Sequence, residues 1–155
     1  MPPVRRCTPR RPVRAAGLSL RGPEDALGVL LAGATPDRPT ATYLLLDAAH
    51  CGITCLEVTG RADADAVFDV AELLLRTAAD EPRLAALVIA TFRPDRSHLP
   101  DPGDTWCFGE LRELLADAGI DLLDWFVVAD GFGTSLAELS EATWLWQTPP
   151  DDRPG

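Results

Sequence analysis

The stretch from Leu87 to Gly131 constrains the fold more than any other part of this chain. It reads as an apolar strand (Leu87 to Phe92), a Pro/Asp-rich loop, a helix, and a second apolar strand from Leu122 to Ala129 that ends in the turn pair Asp130-Gly131. Upstream, Thr42 to Asp47 has the continuous apolar centre Tyr43-Leu44-Leu45-Leu46. Apolarity without alternation marks a strand that is covered on both faces. Ile53 to Val58 follows after the short segment Ala48 to Gly52, so the two strands are predicted to form an antiparallel hairpin.

The helices are equally legible. Pro23, Glu24 and Asp25 suit the first turn of a short helix running to about Leu31. From Asp63 to Ala79, the positions Val67, Val70, Ala71, Leu74, Leu75 and Ala78 have the spacing of one buried helical face, with Asp63 as its cap. The next helix is predicted to begin with Asp104 as N-cap. It carries the stripe Phe108, Leu111, Leu115, Ala118, and Gly119 ends it with Ile120 folded back over the end. The order strand, strand, helix, strand, helix, strand predicts an α/β domain with a single mixed β-sheet flanked by helices.

Charge divides the chain. The net charge is -10, yet residues 1–22 hold six arginines and no acid, while the remainder holds eight arginines against twenty-four acids. All fourteen basic residues are arginine. Such an acidic body repels nucleic acid and anionic membranes, whereas Arg5, Arg6, Arg10, Arg11 and Arg14 could contact phosphate or fold back on that body. The expected organisation is an Arg/Pro-rich disordered arm (1–22), a short helix and linker (23–40), one domain (41–140) and a C-terminal tail (141–155). No apolar run approaches the ~20 residues that span a bilayer. Pro12, Arg14 and Arg21 interrupt what a twin-arginine leader would need after Arg5-Arg6, so a cytoplasmic location is expected. Cys7, Cys51, Cys55 and Cys107 lack zinc or redox spacing and read as reduced thiols. His50 reads as an exposed turn residue. Trp125 and Phe126 face opposite ways on one strand, and Trp144 and Trp146 share a face of a C-terminal segment that either packs on the sheet edge or forms an exposed patch for a partner.

Several segments in this order resemble the JAB (MPN-like) domain of RadC proteins, over about residues 42 to 139. They are Tyr43-Leu44-Leu45-Leu46-Asp47-Ala48, Glu57 with Gly60, the helix from Asp65 to Ala78, and Leu87-Val88-Ile89-Ala90 with Pro94. Gly119-Ile120-Asp121-Leu122-Leu123-Asp124, Val127-Val128-Ala129-Asp130-Gly131, and Ser135 to Glu138 complete the series. The resemblance implies an MPN/JAB, cytidine-deaminase-like architecture, a scaffold for zinc hydrolases. In that chemistry two histidines and an aspartate hold zinc, a water fills the open position and a glutamate is general base.

This chain departs from the pattern where the chemistry sits. Thr91 and Arg93 stand at the two histidine positions, and a guanidinium places a fixed positive charge where a dication belongs. The ligand aspartate falls at Trp106, or at Asp104 with a two-residue shift. Gly103 replaces the preceding serine, and Trp125 stands where relatives often have histidine. The resulting expectation is a vestigial pocket of Glu57, Thr91, Arg93, Asp104 and Trp125 with no catalytic residue, no metal and no cofactor. In it, Arg93 would pair with Glu57, which would otherwise be a buried unpaired carboxylate. The protein would then be a non-catalytic binding or scaffolding module with a protein partner or a second copy of itself. One alternative is a zinc-dependent metallopeptidase or isopeptidase with a rebuilt site (Glu57, His98, Asp104, with Asp101 nearby). Another is a DNA-associated accessory protein using its arginine arm. The DNA repair label of RadC proteins goes with a helix-hairpin-helix module, for which the forty residues before the domain are too few and too Pro-rich.

Overall fold

A computed structural model of the chain describes residues 19–32, 37–77, 80–94, 99–141 and 146. Its elements are α1 (Pro23–Leu31), β1 (Thr40–Leu46), β2 (Gly52–Thr59), α2 (Ala64–Thr77), β3 (Ala86–Phe92), α3 (Pro102–Asp117), β4 (Asp121–Ala129), β5 (Phe132–Ser135) and α4 (Leu136–Leu139). The five strands form one mixed sheet in the order β2-β1-β3-β4-β5. Only β3 and β4 are parallel; the other neighbours are antiparallel. This is the α/β sheet flanked by helices that the apolar runs demanded.

Every residue of β1 and β3 is buried, because the two faces of the sheet support separate apolar clusters. On one face Tyr43, Leu87, Ile89, Trp125 and Val127 pack with Val67 and Ala71 of α2, Phe108, Leu111 and Leu115 of α3, and Leu136 of α4. On the other face Leu44, Leu46, Val88, Ala90, Phe126 and Val128 pack with Leu20, Ala26 of α1 and Trp146. Successive strand residues enter opposite clusters, which explains why the strand sequences lack polar alternation. Trp125 and Phe126 are consequently both core residues.

Four local details differ from the sequence reading. The N-cap of α3 is Asp101, with Pro102 in the first turn, and Asp104 is the N3 residue of a reciprocal capping box. The pair Asp130-Gly131, with φ of 54° and 81°, closes a second hairpin that adds β5, a strand too short and too poor in apolar residues to stand out. His50 is buried, with φ of 61°, and meets Trp146 edge-on at 5.8 Å between ring centroids. The Leu20 amide donates to the His50 carbonyl (3.0 Å) and Ser19 bridges to Cys51, so residues 19–22, assigned to the basic arm, already belong to the folded body.

Residues 1–18, with Cys7 and the arginines from Arg5 to Arg14, lie outside the described residues, as do His98 and Trp144. Cys51, Cys55 and Cys107 are free thiols. Among the described residues no helix is long and apolar enough to cross a membrane.

Candidate functional site

At the carboxyl end of β3 the chain builds a buried ion pair. The Arg93 amide donates to the Val128 carbonyl (2.9 Å), extending the β3–β4 pairing one residue past the strand. The side chain lies on the α2/α3 side of the sheet. Its Nε donates to the Ala62 carbonyl just before α2 (2.8 Å). Nη1 and Nη2 donate to Asp104 Oδ2 (2.7 Å) and Oδ1 (2.8 Å). Arg93 and Asp104 are 5% and 1% exposed, so this two-pronged contact is made out of water. Paired N–H groups on one carboxylate are the strongest common form of charged hydrogen bond.

Asp104 is held from its other side by the helix cap. The Asp101 amide donates to Asp104 Oδ2 (3.0 Å), and the Asp104 amide donates back to Asp101 Oδ1 (3.1 Å). The first turn of α3 leaves backbone N–H groups unpaired and carries partial positive charge, which favours a carboxylate there. The sequence Asp101-Pro102-Gly103-Asp104 therefore does two jobs: it starts the helix, and it presents one carboxylate to the end of β3.

Thr91, two residues earlier on the same side of the strand, is also engaged. Trp125 Nε1 donates to Thr91 Oγ1 (3.1 Å), and the threonine hydroxyl donates to the Phe126 carbonyl (3.4 Å). Thr91 and Trp125 thus satisfy each other across β3 and β4.

Glu57, the partner expected for Arg93, is not part of this group, and Asp104 takes its place. Strand register places it in the row Glu57, Thr42, Ala90, Phe126, whose Ala90 and Phe126 belong to the opposite, α1-facing cluster. Thr91's row is Val58, Ala41, Thr91, Val127, and its β2 member is aliphatic. The expected five-residue pocket is corrected to two adjoining pairs, Arg93 with Asp104 and Thr91 with Trp125. Trp106, the other candidate for the ligand position, is exposed in the first turns of α3. Among the described residues no three His, Cys, Asp or Glu side chains converge as metal ligands would.

Asp124, a polar centre the site reading passed over, sits in the middle of β4 with no exposed surface. It accepts from the Trp125 amide (2.7 Å), the Ser135 hydroxyl (2.7 Å) and the Ala137 amide (3.1 Å). Burial pushes its carboxyl up to about 6, against the opposing effect of those three donors. An acid inside an apolar run was the available signal, since a buried carboxylate requires partners. Tyr43 has a fully buried hydroxyl, and burial pushes its pKa well above the usual phenol range.

Chemically, the Arg93 site offers little to a substrate. Three of the five guanidinium N–H groups are spent on Asp104 and Ala62, and both Asp104 oxygens are engaged. A scan against family models and a search of curated proteins returned no match to this chain.

Proposed function

We propose that this protein is a non-catalytic member of the RadC-like JAB group, a binding or scaffolding module whose metal position is occupied by an internal ion pair. The observation that carries this reading is Arg93 held on Asp104 by two hydrogen bonds of 2.7 and 2.8 Å in a buried site. In the resemblance, Arg93 aligns with a metal-binding histidine and Asp104 with the ligand carboxylate. A guanidinium stays protonated at any working pH, so it neutralises that carboxylate permanently and repels a dication. Thr91, at the other histidine position, is committed to Trp125.

A role in binding is supported by three large apolar side chains exposed in segments that follow the carboxyl ends of β3 and β4: Leu99, Trp106 and Phe132. Cytoplasmic location and a protein partner or homodimer belong to this proposal.

The test is elemental analysis of protein purified without chelator and then dialysed against excess zinc. We expect well under one zinc per chain, and no cleavage of peptide or isopeptide substrates. One zinc per chain that disappears in Asp104→Ala would overturn the reading in favour of the rebuilt site with His98.

A further inference from the structure

The sheet has one long edge. β2 stands at the end of the strand order, and among the described residues its strand neighbour is β1 alone. On its α2-facing side, in the rows of Tyr43 and Ala41, Leu56 and Val58 are each 38% exposed. A long strand edge with apolar side chains is a template for another strand, and folded proteins cover it. The chain itself arrives at the start of this edge. Ser19 bridges to Cys51 in the antiparallel sense, and the Leu20 amide donates to the His50 carbonyl (3.0 Å). Residues 1–18 precede that bridge, and an antiparallel path traced back from it runs beside β2 toward Thr59.

We propose that residues 13–18 add a sixth strand to the β2 edge, antiparallel to β2, with Arg14 opposite Glu57. Backbone alternation fixes the register, because successive residues of a strand turn their N–H and C=O groups to opposite neighbours. The Leu20 amide faces His50, so the amides of Leu18, Ala16 and Arg14 face β2. On β2, the Gly60 amide donates to the Pro39 carbonyl just ahead of β1 (2.8 Å). Val58 and Leu56 therefore also bond toward β1, while Glu57 and Cys55 turn their backbone groups the other way. At the start of the hairpin the Asp47 amide donates to the Cys51 carbonyl (2.9 Å), which turns Gly52 outward. The outward residues Gly52 and Cys55 are separated by an odd step because the β1–β2 register slips between Leu45 and Leu46, a β-bulge. The added strand crosses the bulge by pairing Leu18 with Gly52, Ala16 with Cys55 and Arg14 with Glu57.

Side-chain facing leads to the same register by a separate route. Leu20 and Cys55 both belong to the α1-facing cluster, and Glu57 lies two residues beyond Cys55 on that side. Ala16 and Arg14 stand at even steps from Leu20 and share its face. Ala15 and Val13 then fall on the α2 side, opposite Leu56 and Val58. A register that ignored the bulge would set Arg14 against Leu56 with their side chains on opposite faces, which paired strands do not permit. The chemistry of the two strands is complementary. Glu57 is the one charged residue of β2, and Arg14 is the one charged residue between Pro12 and Leu18. Opposite charges directly across a ladder stabilise the pairing. Pro12 follows at a position whose amide would face β2, and proline has no N–H to give, so the strand stops at Val13. Arg5, Arg6, Arg10 and Arg11 are left outside it.

The experiment is NMR on the full chain. Cα atoms approach most closely in the pairs of an antiparallel ladder that are not hydrogen-bonded, so Hα–Hα cross-peaks are expected for Ala15 with Leu56 and Val13 with Val58. These are read in the unaltered protein and do not depend on any variant folding. In hydrogen exchange the Arg14 and Ala16 amides should be protected and the Val13 and Ala15 amides should not. Ala16→Pro deletes an amide aimed at β2 and should speed exchange of the Cys55 and Glu57 amides by about 10-fold relative to β3 amides. Ala15→Pro deletes an amide aimed away from β2 and should leave them unchanged. Cross-peaks in another register, unprotected exchange throughout residues 13–18, or equal effects of the two proline variants would each overturn the proposal. So would cross-peaks from Leu56 and Val58 to a second molecule in a mixed isotope-labelled sample, because the edge would then belong to a dimer.

Discussion

Replacing Asp104 with alanine tests whether the Arg93 pair organises the end of β3. The substitution leaves the guanidinium 5% exposed with one remaining bond, to the Ala62 carbonyl. Removing one member of a buried pair costs about 3–5 kcal/mol, because the charge left behind is neither hydrated nor paired. Loss of the capping box that Asp101 and Asp104 share adds about 1 kcal/mol. Two opposite charges about 4 Å apart at an effective dielectric near 20 attract by about 4 kcal/mol, which is the same scale. A domain of this kind has only about 5–15 kcal/mol to lose, so Asp104→Ala should bring the chain close to its unfolding limit. The assay is urea denaturation followed by circular dichroism, with a double-mutant cycle. Arg93→Met combined with Asp104→Leu removes both charges and should be less damaging than Asp104→Ala alone, since apolar replacements of similar size tolerate burial. A coupling energy of at least about 2 kcal/mol is expected. Coupling below about 1 kcal/mol, the range of exposed pairs, would refute the argument and assign the loss to the helix cap.

The remaining predictions concern single contacts. Thr91→Val removes the acceptor of the Trp125 indole N–H and should cost about 1–3 kcal/mol in the same urea assay, whereas Thr91→Ser should keep most of the stability. Gly119, with φ of 81°, has no atom within 4 Å of a built Cβ, so Gly119→Ala should cost about 1 kcal/mol through backbone conformation alone, with Gly119→Asn milder. Together with zinc content, these measurements probe the site, the strand pairing and the end of α3 separately.

Much of this molecule was legible before any coordinates. The apolar runs at Tyr43 to Leu46, Leu87 to Phe92 and Leu122 to Ala129 specify strands buried on both faces, and that alone requires helices on two sides. Helix ends were equally explicit in Asp63, Pro23 and Gly119, because caps and left-handed residues are local chemistry. Arg93 announced a positive charge at the strand end, but the partner expected for it was Glu57, and the structure gives it Asp104. The hydrogen bonds that join them run across eleven residues and through a loop, so no local rule could supply their geometry.

What the tertiary structure alone decided is which side of the sheet each residue faces and who meets whom across it. Glu57 was expected in the pocket through the family resemblance. A strand has a side-chain period of two, so a register displaced by one residue reverses every face. The β1–β2 pairing, with its irregularity between Leu45 and Leu46, turns Glu57 to the α1 side and leaves Val58 in Thr91's row. His50 is buried because Trp146 closes over the hairpin turn from nearly a hundred residues away. Asp124 became a junction only when β5 folded back to bring Ser135 and Ala137 to its carboxyl. Local sequence determines which elements form and where they stop, since those preferences act over a few residues. Register, facing and buried polar partnership depend on distant segments arriving together, and the folded chain settles them.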